Sequence, residues 1–195
     1  MYFLQNYAIC YGLYTQLVVK FIKSKEDTMK KEISAKELQG NPFHMVGKEW
    51  MLITAGNEEK CNTMTASWGG FGHLWNKDVA FIFVRPQRYT KGFVDNENTF
   101  SLSFFTEEWR KQLSYLGTVS GRDEDKIAKA GLTVEFIDGT PCFKEARVTI
   151  VCRKMYRQPL EENCFLDKDV MNKNYPEKDW HDVYVGEVMK VIVEE

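Results

Sequence analysis

Short runs of hydrophobic and polar residues, typical of β-strands, begin near residue 45 and continue to the end of the chain. The run Val79–Val84 is apolar throughout, which predicts a strand buried on both faces. The runs Phe100–Phe104 and Ala146–Ile150 alternate, which predicts strands with one buried face. Further strands are predicted at residues 49–55, 61–68, 132–137 and 183–193. Gly186, inside the last of these, indicates a bulge or a close approach of another backbone.

The helices between these strands are predicted to be short. Thr106 is a candidate N-cap followed by two glutamates, and Gly117 lies at the far end of that helix. A second helix is predicted from Arg122 to Ala130, with Gly131 closing it. About seven strands with short helical crossovers favour an antiparallel barrel, because a doubly wound sheet needs longer helices between its strands.

Composition and charge narrow the function classes. The chain has 195 residues, of which 44% are hydrophobic and 28% charged, as in one soluble globular domain with a short extension. Its net charge of -2 gives no overall positive field for nucleic acid, which is not expected as a partner. Five cysteines without a C-x-x-C pair favour reduced thiols in a cytoplasmic protein. The three histidines are widely spaced, and no metal site is expected.

The first 28 residues differ from the rest of the chain. Residues 2–22 are apolar and aromatic, but polar residues interrupt them, whereas a bilayer span needs about 20 predominantly apolar residues. A polar linker at residues 23–28 follows. We expect residues 1–28 to be an extension outside the barrel, without stable membrane insertion, and residues 29–195 to form the domain. The alternatives are a membrane-surface or packing helix and a membrane anchor.

Two segments carry candidate chemistry. In Arg85–Thr90, two guanidinium groups and a hydroxyl lie where a buried strand gives way to a helix N-terminus, which is an arrangement that can hold a phosphate. The alternative is a solvated turn with two surface arginines. In Asn62–Gly70, hydroxyl side chains precede a tryptophan and two glycines, and this edge could bind a heteroaromatic ring. The alternative is a half-exposed strand, since threonine is common in strands.

Together these segments resemble the flavin reductase-like family, and most closely its flavoredoxin-type branch. The motifs are N-T-M-T-A-S-W at 62–68, V-R-P-Q-R-Y-T at 84–90, F-S-L-S-F-F at 100–105, and the segments 115–123, 142–146 and 181–188. They occur in the family's order over about residues 35–195. The resemblance implies a mainly β fold, an antiparallel Greek-key FMN-binding split barrel with short helices. It also implies a homodimer that binds FMN non-covalently near the subunit interface.

The resemblance also implies roles for individual residues. Thr65, Ala66, Ser67 and Trp68 would line the isoalloxazine and ribityl chain; Arg88 and Thr90 would bind the phosphate, with Arg85 nearby; Ser103 and Phe104 would lie beside the cofactor on the adjacent strand. Lys126 matches the family as well, and its alternative is a solvated partner of Asp123 or Glu124. His181 would approach the nicotinamide side of the flavin as the catalytic residue, and its alternative is a structural histidine.

The activity implied is that of an NAD(P)H:FMN oxidoreductase or a flavoredoxin-like electron carrier, with the flavin supplying the redox chemistry. Either NADH or NADPH would serve as the donor, because no separate dinucleotide fingerprint is present to choose between them, and the electron acceptor is unknown. The alternative from another class is a non-enzymatic FMN-binding module that acts as a store or sensor. A lipocalin-like ligand barrel is a third hypothesis.

Overall fold

The computed structural model describes residues 29–195, and the part from Lys31 to Val193 forms one compact unit. The expectation that residues 1–28 lie outside the barrel concerns residues outside this described part. The strands are β1 Lys30–Ile33, β2 Met51–Gly56, β3 Cys61–Ala66, β4 Gly69–Leu74, β5 Lys77–Val84, β6 Thr99–Phe104, β7 Val134–Ile137, β8 Thr140–Phe143, β9 Val148–Pro159 and β10 Asp182–Glu194.

The helices are short, as the sequence predicts. They are α1 Pro42–His44, α2 Tyr89–Asn96, α3 Arg110–Thr118, α4 Lys126–Ala130 and α5 Lys168–Asn174. Single turns of 3-10 helix occupy Ala35–Glu37, Glu107–Trp109 and Glu162–Cys164, and a π-helical turn occupies Met45–Glu49. Within residues 29–195, no helix has the length and apolar character needed to cross a membrane.

The main sheet has the strand order β3-β2-β6-β9-β10-β5-β4, and each neighbouring pair is antiparallel. β1 pairs with β10, and β7 and β8 form a separate hairpin. Although β3 and β4 lie at opposite ends of the order, only Ser67 and Trp68 connect them. Such a connection reaches about 11 Å at most, whereas a flat seven-stranded sheet would separate its edges by about 29 Å. The sheet must therefore curve until its two edges approach each other.

The barrel core consists of side chains from the concave face, among them Leu102, Phe104 and Tyr184, which are fully buried. A second cluster lies on the outer face, where Leu116 and Phe143 pack over Leu52. This outer layer covers β6, so both faces of β6 are buried. The alternation in the sequence predicts only one buried face. Conversely, β5 is predicted to be buried on both faces, but one of its faces is only partly covered, because Phe81 and Phe83 are half-exposed.

Local backbone features agree in part with the sequence predictions. The register between β9 and β10 shifts at Gly186, so the predicted bulge is confirmed. A Cβ there would lie 2.6 Å from Phe100 Cζ, so it is a side chain, and not another backbone, that approaches the glycine closely. Gly131 ends α4 with a φ of 73°, as predicted. However, α4 begins at Lys126 and not at Arg122, because Asp125 is the N-cap and accepts a hydrogen bond from the Ala128 amide.

Candidate functional site

Two adjoining cavities lie beside the connection from β3 to β4. The first, which we call the aromatic cavity, has a volume of about 260 Å³ and is lined by Met64, Thr65, Ala66, Ser67, Trp68, Phe83, Arg85, Arg88 and His181. The second, the basic cavity, has a volume of about 480 Å³ and is lined by Asn62, Met64, Arg85, Gln87, Arg88, Tyr89, Thr90, Thr118, Val119, Ser120, Gly121, Arg122 and Lys126. Because three lining residues are shared, the two cavities form one groove.

The wall formed by the end of β3 is held in place by α3. Thr65 Oγ1 donates a hydrogen bond of 2.5 Å to the Leu113 carbonyl oxygen. A Cβ on Gly117 would lie 3.1 Å from Thr65 Cβ, so the glycine permits close packing of the helix on the strand. Thr65, Ala66, Ser67 and Trp68 therefore line the aromatic cavity together, and the contact with a flavin that the resemblance implies for them stays a prediction.

Aromatic rings enclose the aromatic cavity. The Trp68 ring is 44% exposed, and its centroid lies 5.1 Å from that of His181. Phe83 contacts the same imidazole edge-on, at 6.5 Å between centroids. Because a partly exposed tryptophan beside a cavity offers a large apolar face, this end of the groove suits a flat ring ligand.

His181 lies buried against this cavity with one ring nitrogen already engaged. Its Nδ1 is 2.8 Å from the hydroxyl oxygen of Tyr175. Burial, followed by the positive charge of Arg85, lowers the pKa of His181 to about 4, so the ring is neutral near pH 7. Asp182 does not orient His181, because its carboxylate pairs with Arg157 Nε at 2.6 Å and Lys91 Nζ at 2.9 Å.

Arg85 lines both cavities, but its guanidinium is already paired. Nη1 forms an ion pair with Asp179, and Nη2 donates to the Asn174 carbonyl oxygen at 2.9 Å. The Tyr175 ring packs beneath the guanidinium, with its centroid 5.2 Å from Cζ. Asp179 and Tyr175 belong to the long connection between β9 and β10, so this connection compensates the charge of Arg85.

Arg88 lies in a different electrostatic environment. Its Nη1 donates to the Gly117 carbonyl oxygen at 2.7 Å, and burial, followed by the charge of Arg85, lowers its pKa. Arg88 is also the N-cap residue of α2, where it provides no side-chain cap and where the first helical turn contains no acidic residue. A cation at a helix N-terminus opposes the helix dipole, so this position favours a bound anion.

Thr90 and Asn62 connect the start of α2 to β3. Both side chains are buried, and Asn62 Nδ2 donates to Thr90 Oγ1 at 2.8 Å. The Thr90 hydroxyl hydrogen has no acceptor among residues 29–195 and can be donated to a ligand in the basic cavity. A Cβ on Gly121 would lie 2.2 Å from Asn62 Oδ1, so only glycine fits where the loop after α3 passes this pair.

Lys126 is buried in the wall of the basic cavity and closes the end of α3. Its Nζ donates to the carbonyl oxygens of Leu116 at 2.7 Å and Val119 at 2.9 Å. Burial, followed by the charge of Arg88, lowers its pKa to about 8. The alternative of a solvated partner for Asp123 or Glu124 does not describe this lysine, because Lys126 is buried and its ammonium group donates to these carbonyl oxygens instead.

The basic cavity carries more positive charge than its neighbours compensate. Arg88, Arg122 and Lys126 have no carboxylate within ion-pair distance in the described part of the chain, whereas Arg85 has Asp179. Arg122 donates to the Gln87 carbonyl oxygen at 3.2 Å and lies over the Tyr89 ring. In the same described residues, no group of three His, Cys, Asp or Glu side chains could hold a metal ion. Because Arg88, Arg122 and Lys126 keep uncompensated positive charge at its wall, the cavity is suited to a phosphate.

The structure does not bring Ser103 and Phe104 to the groove. Both are fully buried and line neither cavity. Their strand, β6, is not adjacent to β3, because β2 lies between them and Leu52 pairs with both Thr65 and Ser103. Sequence order alone places the two segments near each other, and the strand order separates them.

Several residues that line or support the groove were missed from the sequence. Asn62 and Gly121 lie within the family motifs, which were therefore the available signal, although no role was assigned to them. Phe83 was concealed by the apolar run of β5, which predicts a fully buried strand. Tyr175 and Asp179 come from the connection between β9 and β10, where neither periodicity nor a motif marks them.

Comparisons with known proteins agree with this architecture. The flavin reductase like domain model matches residues 44–195. An FMN-binding domain of a flavin reductases-like enzyme from Shewanella baltica is 13% identical, with 86% of this chain and 78% of that chain covered and a TM-score of 0.61. Flavoredoxin from Methanosarcina acetivorans is 23% identical, with coverages of 84% and 77% and a TM-score of 0.59.

A split barrel domain protein from Shewanella frigidimarina is 17% identical, with 82% of this chain and 77% of that chain covered and a TM-score of 0.59. At these identities the likeness establishes the fold, and the expected antiparallel split barrel is confirmed. No curated protein matches the chain. Since the family model covers more than half of the chain, in agreement with the resemblance in its motifs, the chain belongs to the flavin reductase like domain family.

Proposed function

We propose that this protein binds FMN in the groove and acts as an oxidoreductase, either an NAD(P)H-dependent flavin reductase or a flavoredoxin-like electron carrier. The observation that carries the proposal is the pairing of an aromatic cavity with a basic cavity, where three of the four lining cations lack carboxylate partners in the described part of the chain. FMN has the same division, with a flat ring at one end and a phosphate dianion at the other. Similar structures that are named as FMN-binding or as flavoredoxin support it.

The basic cavity fits the phosphate end of FMN. Arg88 offers a fork of N–H donors, Thr90 a hydroxyl hydrogen, and the start of α2 its unsatisfied backbone amides. Lys126 adds a positive charge from the cavity wall. Burial and a neighbouring positive charge destabilise the charged forms of Arg88 and Lys126, and so lower their pKa values. A bound phosphate dianion would stabilise these charged forms again.

The aromatic cavity fits the ring end. The backbone and side chains of residues 65–68 would border the ring, and Trp68 and Phe83 would exclude water from it. FMN, when bound, supplies reversible hydride transfer with a nicotinamide donor. His181 borders the same cavity as a neutral ring, so it can contact a donor or acceptor by packing and hydrogen bonding without adding charge. Its role would be positioning, since hydride transfer depends on close approach.

The proposed functional unit is a homodimer. Trp75 and Tyr156 are 55% and 42% exposed and lie edge-on at 6.1 Å, so they form an aromatic pair on the surface. Exposed aromatic pairs of this kind favour contact with a second copy of the chain. Light scattering of the purified protein should give twice the chain mass, and Trp75→Ala should lower it. A monomer mass for the unaltered protein would contradict this part of the proposal.

The experiment that tests the redox function is an absorbance spectrum followed by an anaerobic titration. The purified protein, or the protein after addition of FMN, should show bound flavin, and NADH or NADPH should bleach it. Bound flavin that neither nucleotide reduces, and that artificial reductants do reduce, would favour an electron carrier or a non-enzymatic module. Absence of FMN binding at micromolar concentrations would overturn the proposal.

A further inference from the structure

The connection between β9 and β10 places a second aromatic side chain, Tyr175, directly behind His181. The tyrosine ring meets the imidazole edge-on, with centroids 5.6 Å apart, and its hydroxyl oxygen lies 2.8 Å from Nδ1. Tyr175 and His181 are 6% and 7% exposed. Since Nδ1 faces Tyr175, Nε2 is the ring nitrogen left to meet a ligand in the aromatic cavity.

The direction of this hydrogen bond follows from the surroundings of the tyrosine. A buried hydroxyl hydrogen requires an acceptor, and the only hydrogen-bond partner of the Tyr175 hydroxyl within the described part of the chain is His181 Nδ1. Burial also raises the pKa of Tyr175, so the phenol keeps its hydrogen near neutral pH. The hydroxyl therefore donates, and Nδ1 accepts. A neutral imidazole that accepts at Nδ1 carries its hydrogen on Nε2.

Other contacts hold Tyr175 in place. Its ring centroid lies 4.9 Å from that of Trp180 and 5.6 Å from that of Phe165, and the Arg85 guanidinium covers it at 5.2 Å. These contacts leave the hydroxyl fixed relative to His181. The connection thus supports the aromatic cavity from behind. Of its own residues, only His181 lines the cavity.

We propose that Tyr175 is a positioning residue that holds His181 as the Nε2–H tautomer, so that the aromatic cavity presents a hydrogen-bond donor. A ligand bound there would be selected for an acceptor at its edge, such as a ring carbonyl or a carboxamide oxygen. This inference deepens the proposed function, because flavin and nicotinamide rings both carry such acceptors. The tautomer itself does not depend on that function and is measurable in the protein without added ligand.

The test is nitrogen-15 NMR of the histidine side chains in the full-length protein, with His181 assigned by its loss in His181→Gln. We expect the ligand-free protein to show Nε2 protonated and Nδ1 unprotonated near pH 7. Tyr175→Phe keeps the ring packing and removes the donor. It should lower the ratio of Nε2–H to Nδ1–H by about threefold to tenfold, the range for the loss of one neutral hydrogen bond. Tyr184→Phe is the matched control, since it removes a buried hydroxyl that is bonded to Asp95 instead.

An Nδ1–H tautomer in the unaltered protein would overturn the proposal without requiring any variant to fold. An unchanged tautomer ratio in Tyr175→Phe would overturn it as well. The role of the donor is tested by adding FMN and then NADH: if the flavin binds but the His181 Nε2 resonance does not move in either step, the donor does not meet these ligands. Failure to bind FMN would contradict the proposed function and would leave the tautomer result standing.

Discussion

Arg85 and Arg88 lie three positions apart and line the same groove, yet their environments differ. Arg85 is paired with Asp179 and packed over Tyr175, so its charge is compensated within the protein. Arg88 bonds only a neutral carbonyl oxygen and lies at the N-terminus of α2, so its charge has no carboxylate partner in the described residues. Two arginines of one motif therefore have different roles: Arg85 is structural, and Arg88 is placed to bind an anion.

The same division separates the two ends of the groove. At the aromatic end, Asp179 in the connection between β9 and β10 compensates the charge of Arg85, and Tyr175 in the same connection engages Nδ1 of His181. At the basic end, burial lowers the pKa values of Arg88 and Lys126; the positive charge of Arg85 further lowers that of Arg88, and the charge of Arg88 further lowers that of Lys126. A ligand anion would thus stabilise the basic end more than the aromatic end, and the following experiments test this difference.

Removal of Arg88 should have the largest effect. Loss of a charge-assisted bond to phosphate costs about 1.5–3 kcal/mol, so Arg88→Ala should weaken FMN binding by roughly 10–150-fold. Riboflavin lacks the phosphate, and its affinity should change little. Fluorescence titration with both flavins measures the difference. Arg153→Ala, which removes an exposed positive charge that pairs with Glu187 outside the groove, should leave both affinities unchanged. Equal weakening of FMN and riboflavin in Arg88→Ala would show that Arg88 does not contact the phosphate.

Removal of His181 should affect the rate of flavin reduction and not the affinity for FMN. His181→Ala takes away one positioning contact at the aromatic end, so anaerobic reduction of bound flavin should slow by roughly 10–100-fold. FMN affinity should stay within a few-fold, because the phosphate contacts are intact. Stopped-flow reduction beside a binding titration provides both values. Unchanged reduction with intact binding would make His181 structural, and loss of FMN binding would place it in the cofactor site instead.

The contrast between the arginines also shows what the sequence could predict. Arg88, Thr90 and residues 65–68 were predicted as site residues because strand periodicity and the motifs mark them, and all of them line the groove. The pairing of Arg85 with Asp179 was not predicted, since 94 positions separate the two residues and no pattern links them. Long-range pairing of this kind depends on the path of an irregular connection, which local periodicity does not encode.

Strand order limited the prediction in a second place. Ser103 was expected beside the cofactor, and its fully buried position follows from β2 lying between β6 and β3. The burial of both faces of β6 follows from the β7–β8 hairpin, where the Pro141 carbonyl oxygen accepts a hydrogen bond from Ser101. The sequence predicts the strands themselves well, but which strands are neighbours is decided by packing between distant segments.

Lys126 should make FMN binding dependent on pH. Its pKa of about 8 means that the charged form, which favours a phosphate dianion, is lost as the pH rises through this value. FMN affinity should therefore fall by about threefold to tenfold between pH 7 and pH 9, as for the loss of one partly screened charge. Riboflavin affinity should remain level over the same range. Lys126→Met should bind FMN more weakly at pH 7 and should lose most of the pH dependence, with thermal unfolding recorded to confirm that the variant folds. A pH dependence that persists in Lys126→Met would assign the titration to another group.

The smallest expected effect comes from releasing Arg85. Asp179→Asn keeps the size of the side chain but removes the negative charge, so Arg85 joins Arg88, Arg122 and Lys126 as a further uncompensated cation that borders the basic cavity. Because Arg85 remains partly exposed and solvent screens its charge, FMN affinity should rise by only about twofold to fivefold, with riboflavin unchanged. The gain should decrease with added salt, since screening weakens the attraction between Arg85 and the phosphate. Titrations of both flavins at low and high salt measure this. If Asp179→Asn weakens the binding of FMN and of riboflavin to the same extent, the ion pair instead holds the shape of the aromatic cavity. The difference between the two arginines would then be more than the charge that each can offer to an anion.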